Sequence, residues 1–320
     1  MAGAGAELGR RLRERDLAAA PAVLNLVESS SQDDRAEVDE LLAALSPAAL
    51  GGEAPGHVIG VTGPPGCGKS SLLSELAAAW RADGRSVAVL AVDPSSRRTG
   101  GSLLGDRARI ASDPSDRGLF IRSTAAGNRL GGLAPATRAA AAALAVAFDI
   151  VVIETVGVGQ SETEVADVAD TVAVVVQPGS GDVLQFLKAG IMEIPDVLVV
   201  TKADLGAVAQ NARRDLHAAL RSLGAGAEVL ATSSVPPPSG IGELVAALDA
   251  HGASVDLPAR RLAARRAHAL ADFAAEHGER GVRVLGGRRE AERFLSEQDP
   301  GLDVAALRRA LSRRAWPSSS

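Results

Sequence analysis

Seven short runs rich in Val, Ile, Leu and Ala recur between residues 57 and 233: HVIGVTG, SVAVLAVD, GLFIRST, FDIVVIET, DTVAVVVQ, DVLVVTKAD and EVLATS. A strand with one wet face alternates apolar and polar residues. Runs that stay apolar almost throughout must be covered on both faces, which is the signature of buried parallel strands. Helix-length stretches separate the runs, so the pattern predicts an α/β domain: a mostly parallel sheet with helices on both faces. Several runs end in small or acidic residues, and ligands of such sheets bind beyond the carboxyl ends of the strands.

The chain has 320 residues, no Tyr and an aromatic content of 2%, so aliphatic side chains must fill its core. Helical patterns flank the sheet region. An N-terminal helical extension is expected over 1–52, the phosphate-binding domain over 53–252, and an arginine-rich helical arm over 253–320. The arm either packs on the central domain or pairs two subunits, since a helical hairpin must bury its apolar stripe against something. The net charge of -5, with arginines and acids interspersed, argues against a nucleic-acid partner. Cys67 is the only cysteine, which excludes an intramolecular disulfide and a thiolate metal cluster and fits a reducing compartment. The longest apolar run, AAAAALAVAF at 139–148, falls short of the roughly 18 residues a spanning helix needs. A cytoplasmic chain without a membrane partner is expected.

GPPGCGKSS, Gly63 to Ser71, matches G-x-x-x-x-G-K-S between the run HVIGVT and the helical SLLSELAAAW. In that context Gly63, Pro64, Pro65, Gly66, Cys67, Gly68, Lys69, Ser70 and Ser71 form a loop whose backbone N–H groups wrap phosphates at a helix N-terminus. Lys69 is expected to reach the β- and γ-phosphates and Ser70 to hold Mg²⁺. Cys67 stands at a variable position of the loop as a small filler. Asp93 and Asp106, beyond a strand end, are candidates for the Mg²⁺ shell. Glu154 ends a buried strand in VVIETVGVGQSE; it is a further metal candidate, and the amide of Gly157 is one for the γ-phosphate. In VVTKADL the carboxylate of Asp204 can accept the N1–H and 2-amino group of guanine, which adenine lacks, while the stem of Lys202 covers the ring. Thr201 stands where Asn is common, and a backbone contact from Ser233 to the guanine oxygen completes the set. GTP and GDP with Mg²⁺ are the expected ligands. No glutamine directly follows Gly157, so hydrolysis is expected to be slow until a partner completes the site.

Together GPPGCGKSSLL, AVDPSS, TGGSLLGDR, FDIVVIETVGVGQSE, PGSGDVLQFLKAGIMEIPD and TKAD resemble the MeaB/ArgK-type GTPases, G-protein chaperones of adenosylcobalamin-dependent methylmalonyl-CoA mutase and similar acyl-CoA mutases. The resemblance covers roughly 55–250. It implies a homodimer, joined largely by its C-terminal arm, that gates cobalamin delivery to the mutase and protects it by hydrolysing GTP. It also implies that GDVLQFLKAG is a switch, with Asp182, Gln185 and Lys188 taking part in catalysis and Phe186 and Leu187 departing from the family pattern. Lysine occurs only at positions 69, 188 and 202, and two of these lie in nucleotide motifs, which singles out Lys188. A small-molecule kinase or transport-associated ATPase shares the phosphate loop but has no use for Asp204. A nickel-delivery GTPase wants a His or Cys cluster, and the five histidines are scattered.

Overall fold

The computed structural model describes residues 3–29, 31–93, 110, 113, 115–125, 133, 135–155, 165–179, 195–222 and 226–317. All seven apolar runs form strands: β1 (His57–Thr62), β2 (Val87–Asp93), β3 (Leu119–Ala125), β4 (Ile150–Thr155), β5 (Thr171–Val176), β6 (Val197–Val200) and β7 (Glu228–Ala231). They make one sheet in the order β3-β2-β4-β1-β5-β6-β7, and every neighbouring pair is parallel. This is a P-loop NTPase sheet, and β4 and β5 are buried along their full length. Two-sided burial explains why these strands lack a polar alternation.

One face of the sheet carries α5 (Lys69–Ala82) and α8 (Ile241–Ser254), numbering the helices of the described residues in chain order, while α7 (Ala207–Ser222) packs against β6 and β7. Leu72, Leu73, Leu76 and Trp80 of α5 and Leu244 and Leu248 of α8 bury themselves on Ile59, Val61, Val152 and Val175. Each such side chain contributes about 1.5–3 kcal/mol when fully removed from water. α6 (Pro135–Ala147) lies against β1, β2 and β4 and shares no residue with that cluster, so helices cover both faces. Arg81 closes α5 by gripping Asp116 with two bonds of 2.8 Å just before β3. The guanidinium holds the Asp116 carboxyl below its ordinary range.

Residues 56–255 form this sheet unit, and residues 1–55 with 256–320 form a second one. The second unit contains α1 (Ala4–Arg13), α2 (Ala20–Glu28), α3 (Gln32–Ala44) and α4 (Pro47–Leu50). Its C-terminal part contributes α9 (Leu257–Val284), α10 (Arg288–Ser296) and α11 (Val304–Ala315). Leu270, Phe273, Leu285, Leu295, Leu307 and Leu311 give the C-terminal helices a core of their own. The two flanks, remote in sequence, also hold each other. Arg265 makes a forked contact to Glu53 at 2.8 and 2.9 Å, Arg309 pairs with Asp39, and the amide of Ala48 donates to the carbonyl of Gly301 at 3.1 Å. Among the described residues no helix is long and apolar enough to cross a membrane.

Candidate functional site

β1 is the central strand of the sheet, and the chain leaves it directly into the phosphate loop. Gly63 has φ 152°, and a Cβ added there would lie 2.1 Å from the carbonyl oxygen of Val175 on the neighbouring strand. No other residue fits that crossing. Gly68, at φ 98° and ψ 16°, turns the chain into α5, so the first amides of that helix open towards the loop.

Lys69 is buried, and its ammonium donates to the carbonyls of Gly63 at 2.6 Å and Pro64 at 3.0 Å. Among the described residues no carboxylate pairs with this cation, so an anion in the loop offers it a stronger partner than two neutral carbonyls. Cys67 is fully buried with its Sγ 3.9 Å from the Lys69 ammonium. Burial pushes its thiol above the ordinary range, against the smaller opposing pull of Lys69. A protonated, enclosed thiol is a packing group and not a nucleophile.

Glu154, at the carboxyl end of β4 and buried, brings Oε1 to 3.4 Å from the Ser70 hydroxyl. Two hard oxygen donors thus meet at the edge of the phosphate loop. Asp93 is the last residue of β2, in register with Ala125, and its side chain lies outside the described residues. Asp106, Gly157, Asp182, Gln185 and Lys188 lie outside them as well.

The TKAD segment follows β6. Lys202 adopts left-handed geometry (φ 55°, ψ 43°), unusual for a residue with a side chain, and its ammonium meets the amide oxygen of Gln177 at the end of β5. Asp204 sits in a short 3-10 turn, Ala203–Leu205, and is exposed. The hydroxyl of Ser233 donates to Asp204 Oδ1 at 2.7 Å, and the amide of Ala203 donates to the carbonyl of Thr232 at 3.0 Å. These bonds fix the TKAD segment to the end of β7.

Two residues are used differently from the sequence expectation. The amide of Ser233, expected to meet a guanine oxygen, already donates to the carbonyl of Ser239 at 3.0 Å, so it is not available for that contact. The next amide, that of Ser234, has no hydrogen-bond acceptor among the described residues. The side chain of Thr201 is buried and points to the phosphate loop, where its Oγ1 lies 2.5 Å from the carbonyl of Cys67. Neither arrangement has a sequence signal, because both depend on which loops the fold brings side by side.

A family model described as "Methylmalonyl Co-A mutase-associated GTPase MeaB" matches residues 18–280. A Pyrococcus horikoshii protein with a GTPase name is 46% identical over 199 residues, or 62% of this chain and 60% of the relative. The methylmalonic aciduria type A homolog of Caenorhabditis elegans, named as mitochondrial, is 36% identical over 273 residues, or 80% of this chain and 68% of the relative. The chain therefore spans about 60% of the length of the Pyrococcus relative. Among solved structures, one described as LAO/AO transport system kinase superposes with a TM-score of 0.64 at 27% identity, covering 93% of this chain and 98% of its own.

Proposed function

The chain belongs to the MeaB family, and from that premise and the geometry of its loops we propose that it binds and hydrolyses GTP to gate adenosylcobalamin loading and protection of an acyl-CoA mutase, methylmalonyl-CoA mutase first among them. The observation that carries the nucleotide reading is Asp204: an exposed carboxylate beyond a parallel strand, with one oxygen fixed by Ser233. Its other oxygen accepts from N1–H and the 2-amino group of guanine, the stem of Lys202 covers the ring, and the Ser234 amide takes the contact to the guanine oxygen. The family description supports the mutase as client, as does the relative named for methylmalonic aciduria.

Binding starts at the phosphate loop, where the backbone from Gly63 to Ser71 wraps the phosphates and Lys69 exchanges its two carbonyls for phosphate oxygens. Ser70 Oγ and Glu154 Oε1, hard oxygens 3.4 Å apart, fit Mg²⁺ as donors, directly or through water; Asp93 and Asp106 are assigned to the same shell. When bound, Mg²⁺ supplies neutralising charge on the β- and γ-oxygens. The Gly157 amide is assigned to the γ-phosphate. Asp182, Gln185 and Lys188 are assigned to a switch that completes the site when the mutase docks, and the 253–320 arm is assigned to a homodimer.

Single-turnover hydrolysis with and without saturating mutase tests this reading. Slow turnover alone and a strong rise with mutase are expected; an arginine supplied in trans to a phosphoryl-transfer site is worth ~10³ to 10⁵ in rate, and loop ordering alone less. Lys188→Ala is expected to keep GTP affinity and lose most of the stimulation. An unchanged rate with every candidate mutase would refute the chaperone role. The competing reading, a small-molecule kinase or transport-associated ATPase, draws on the name of the solved relative and predicts ATP binding at least as tight as GTP.

A further inference from the structure

We propose that His57, Thr171 and His251 form a proton-linked clasp at the amino edge of the sheet, in which protonation of His251 reverses the threonine hydroxyl and switches the tautomer of His57. The fold brings together two of the five histidines that are scattered in the sequence. His57 opens β1, Thr171 opens β5 and His251 lies in the last turn of α8. The clasp therefore stands at the opposite end of β1 from the phosphate loop, and it is independent of the nucleotide reading. The Thr171 hydroxyl is fully buried, 2.7 Å from Nε2 of His57 and 2.8 Å from Nδ1 of His251. His251 Nε2 lies 3.2 Å from Oδ1 of Asp196, just before β6, and the other oxygen of Asp196 accepts from the amide of Val172 at 2.8 Å. Gly252 lets α8 approach this closely, since a Cβ there would lie 2.6 Å from Cε1 of His57.

Counting protons fixes the direction of every bond. A carboxylate only accepts, a neutral imidazole has one N–H, and a hydroxyl has one proton. Asp196 therefore holds the proton of a neutral His251 on Nε2, which leaves Nδ1 as an acceptor. Thr171 donates to that nitrogen, so its oxygen accepts from the Nε2–H of His57. When His251 takes up a second proton, Nδ1 becomes a donor. The Thr171 hydroxyl must then turn to His57, because among the described residues it has no third partner. His57 Nε2 can accept that proton only after its own has moved to Nδ1. Charging both rings would aim two N–H groups at one oxygen and leave the buried hydroxyl proton unpaired, so the rings titrate as one coupled pair. The other carboxylates nearby are engaged elsewhere. Asp170 accepts from the amide of Val58 at 2.8 Å, Asp149 from the amide and hydroxyl of Ser86 at 2.8 and 2.7 Å, and Asp249 of α8 is held by Arg85 at 2.9 Å. Glu228, opposite Val197 at the start of β7, is exposed. Asp196 is thus the carboxylate that sets the direction of the relay. Histidine exchanges its proton in the physiological range, so the start of β1 and the end of α8 are joined by a device that protons can reset.

The test is imidazole nitrogen NMR of the full chain across a pH titration, with His57→Gln and His251→Asn assigning the two rings. With both rings neutral, each is expected as the Nε2–H tautomer. As His251 gains its second proton, the His57 Nε2 signal is expected to move from a pyrrole-type to a pyridine-type shift over the same pH interval. Thr171→Val keeps the shape, removes the relay oxygen and is expected to uncouple the rings, whereas Thr171→Ser is expected to keep them coupled. In the valine variant, amide hydrogen exchange in the last turn of α8 is expected to rise about tenfold, the size of one net hydrogen bond. Should that variant fail to fold, His251→Asn takes its place: its side chain does not titrate, and His57 is expected to hold one tautomer until its own protonation. A His57 tautomer that stays fixed while His251 titrates, or a switch that survives Thr171→Val or His251→Asn, overturns the proton linkage. Unchanged exchange in the valine variant overturns the clasp.

Discussion

Replacing Asp204 with Asn should move the base preference from guanine to xanthine, and the surrounding hydrogen bonds say which way the new amide turns. The hydroxyl of Ser233 accepts from the amide of Val235 at 3.2 Å, which leaves its proton directed at position 204, 2.7 Å from Oδ1. An asparagine therefore offers its carbonyl oxygen to Ser233 and its NH₂ group to the base. Guanine then faces a donor with its own two donors. Each charge-assisted bond to the carboxylate is worth about 1.5–3 kcal/mol, so even the low end for two bonds gives about 3 kcal/mol, a loss of roughly 150-fold in GDP affinity. Xanthine carries a carbonyl where guanine has the amino group, and its diphosphate should gain where GDP loses. Because Asp204 is exposed, the substitution leaves the fold intact. Competitive displacement of a fluorescent nucleotide by GDP, ADP and xanthosine diphosphate reads the change. If Asp204→Asn keeps its GDP preference to within tenfold, Asp204 does not read the base.

Two further outcomes follow from side chains away from the base. Burial raises the pKa of the Cys67 thiol, so the folded state binds its proton more tightly than the unfolded one; the associated stability is intact below the unfolded value near ~8.5 and is lost as pH climbs through the folded value. A thiol reagent should label the native chain far more slowly than the denatured chain at neutral pH, and equal rates would refute the enclosure of this group. Arg265→Leu removes a forked ion pair whose two side chains are each 15% exposed and leaves Glu53 unpaired, so urea unfolding should show the helical unit weakened by about 2–3 kcal/mol; a loss below ~0.5 kcal/mol would class the pair with ordinary surface contacts.

The sheet was open to reading because burial on both faces suppresses alternation: IVVIET and TVAVVV have no polar side from which to infer a wet face, and both are buried throughout. The phosphate loop was equally open, since its spacing is dictated by backbone contact with phosphate and not by the rest of the chain. Thr201 and Ser233 were legible as residues but not in their bonding. A threonine after a strand does not announce that a carbonyl 134 residues earlier will accept its proton, and Ser233 gives no sign that Ser239 will take its amide. Closure of the two flanks was hidden for the same reason. Each shows an amphipathic stripe, and a stripe states that it must be covered without stating by what.

That closure governs the order in which the chain can mature. The sheet unit is continuous in sequence, from 56 to 255, and all its strands are available once that stretch has left the ribosome. Residues 1–55 pack partly on one another, but Glu53, Ala48 and Asp39 meet Arg265, Gly301 and Arg309, which are made only after the sheet. At ~5–20 residues per second the interval between completing α4 and completing α11 is on the order of 10–50 s, during which Asp39, Ala48 and Glu53 wait for the partners that pair with them in the finished unit. Translation therefore delivers a finished sheet before its two helical flanks can meet, and the emergence of residues 256–315 is the event that closes the helical unit.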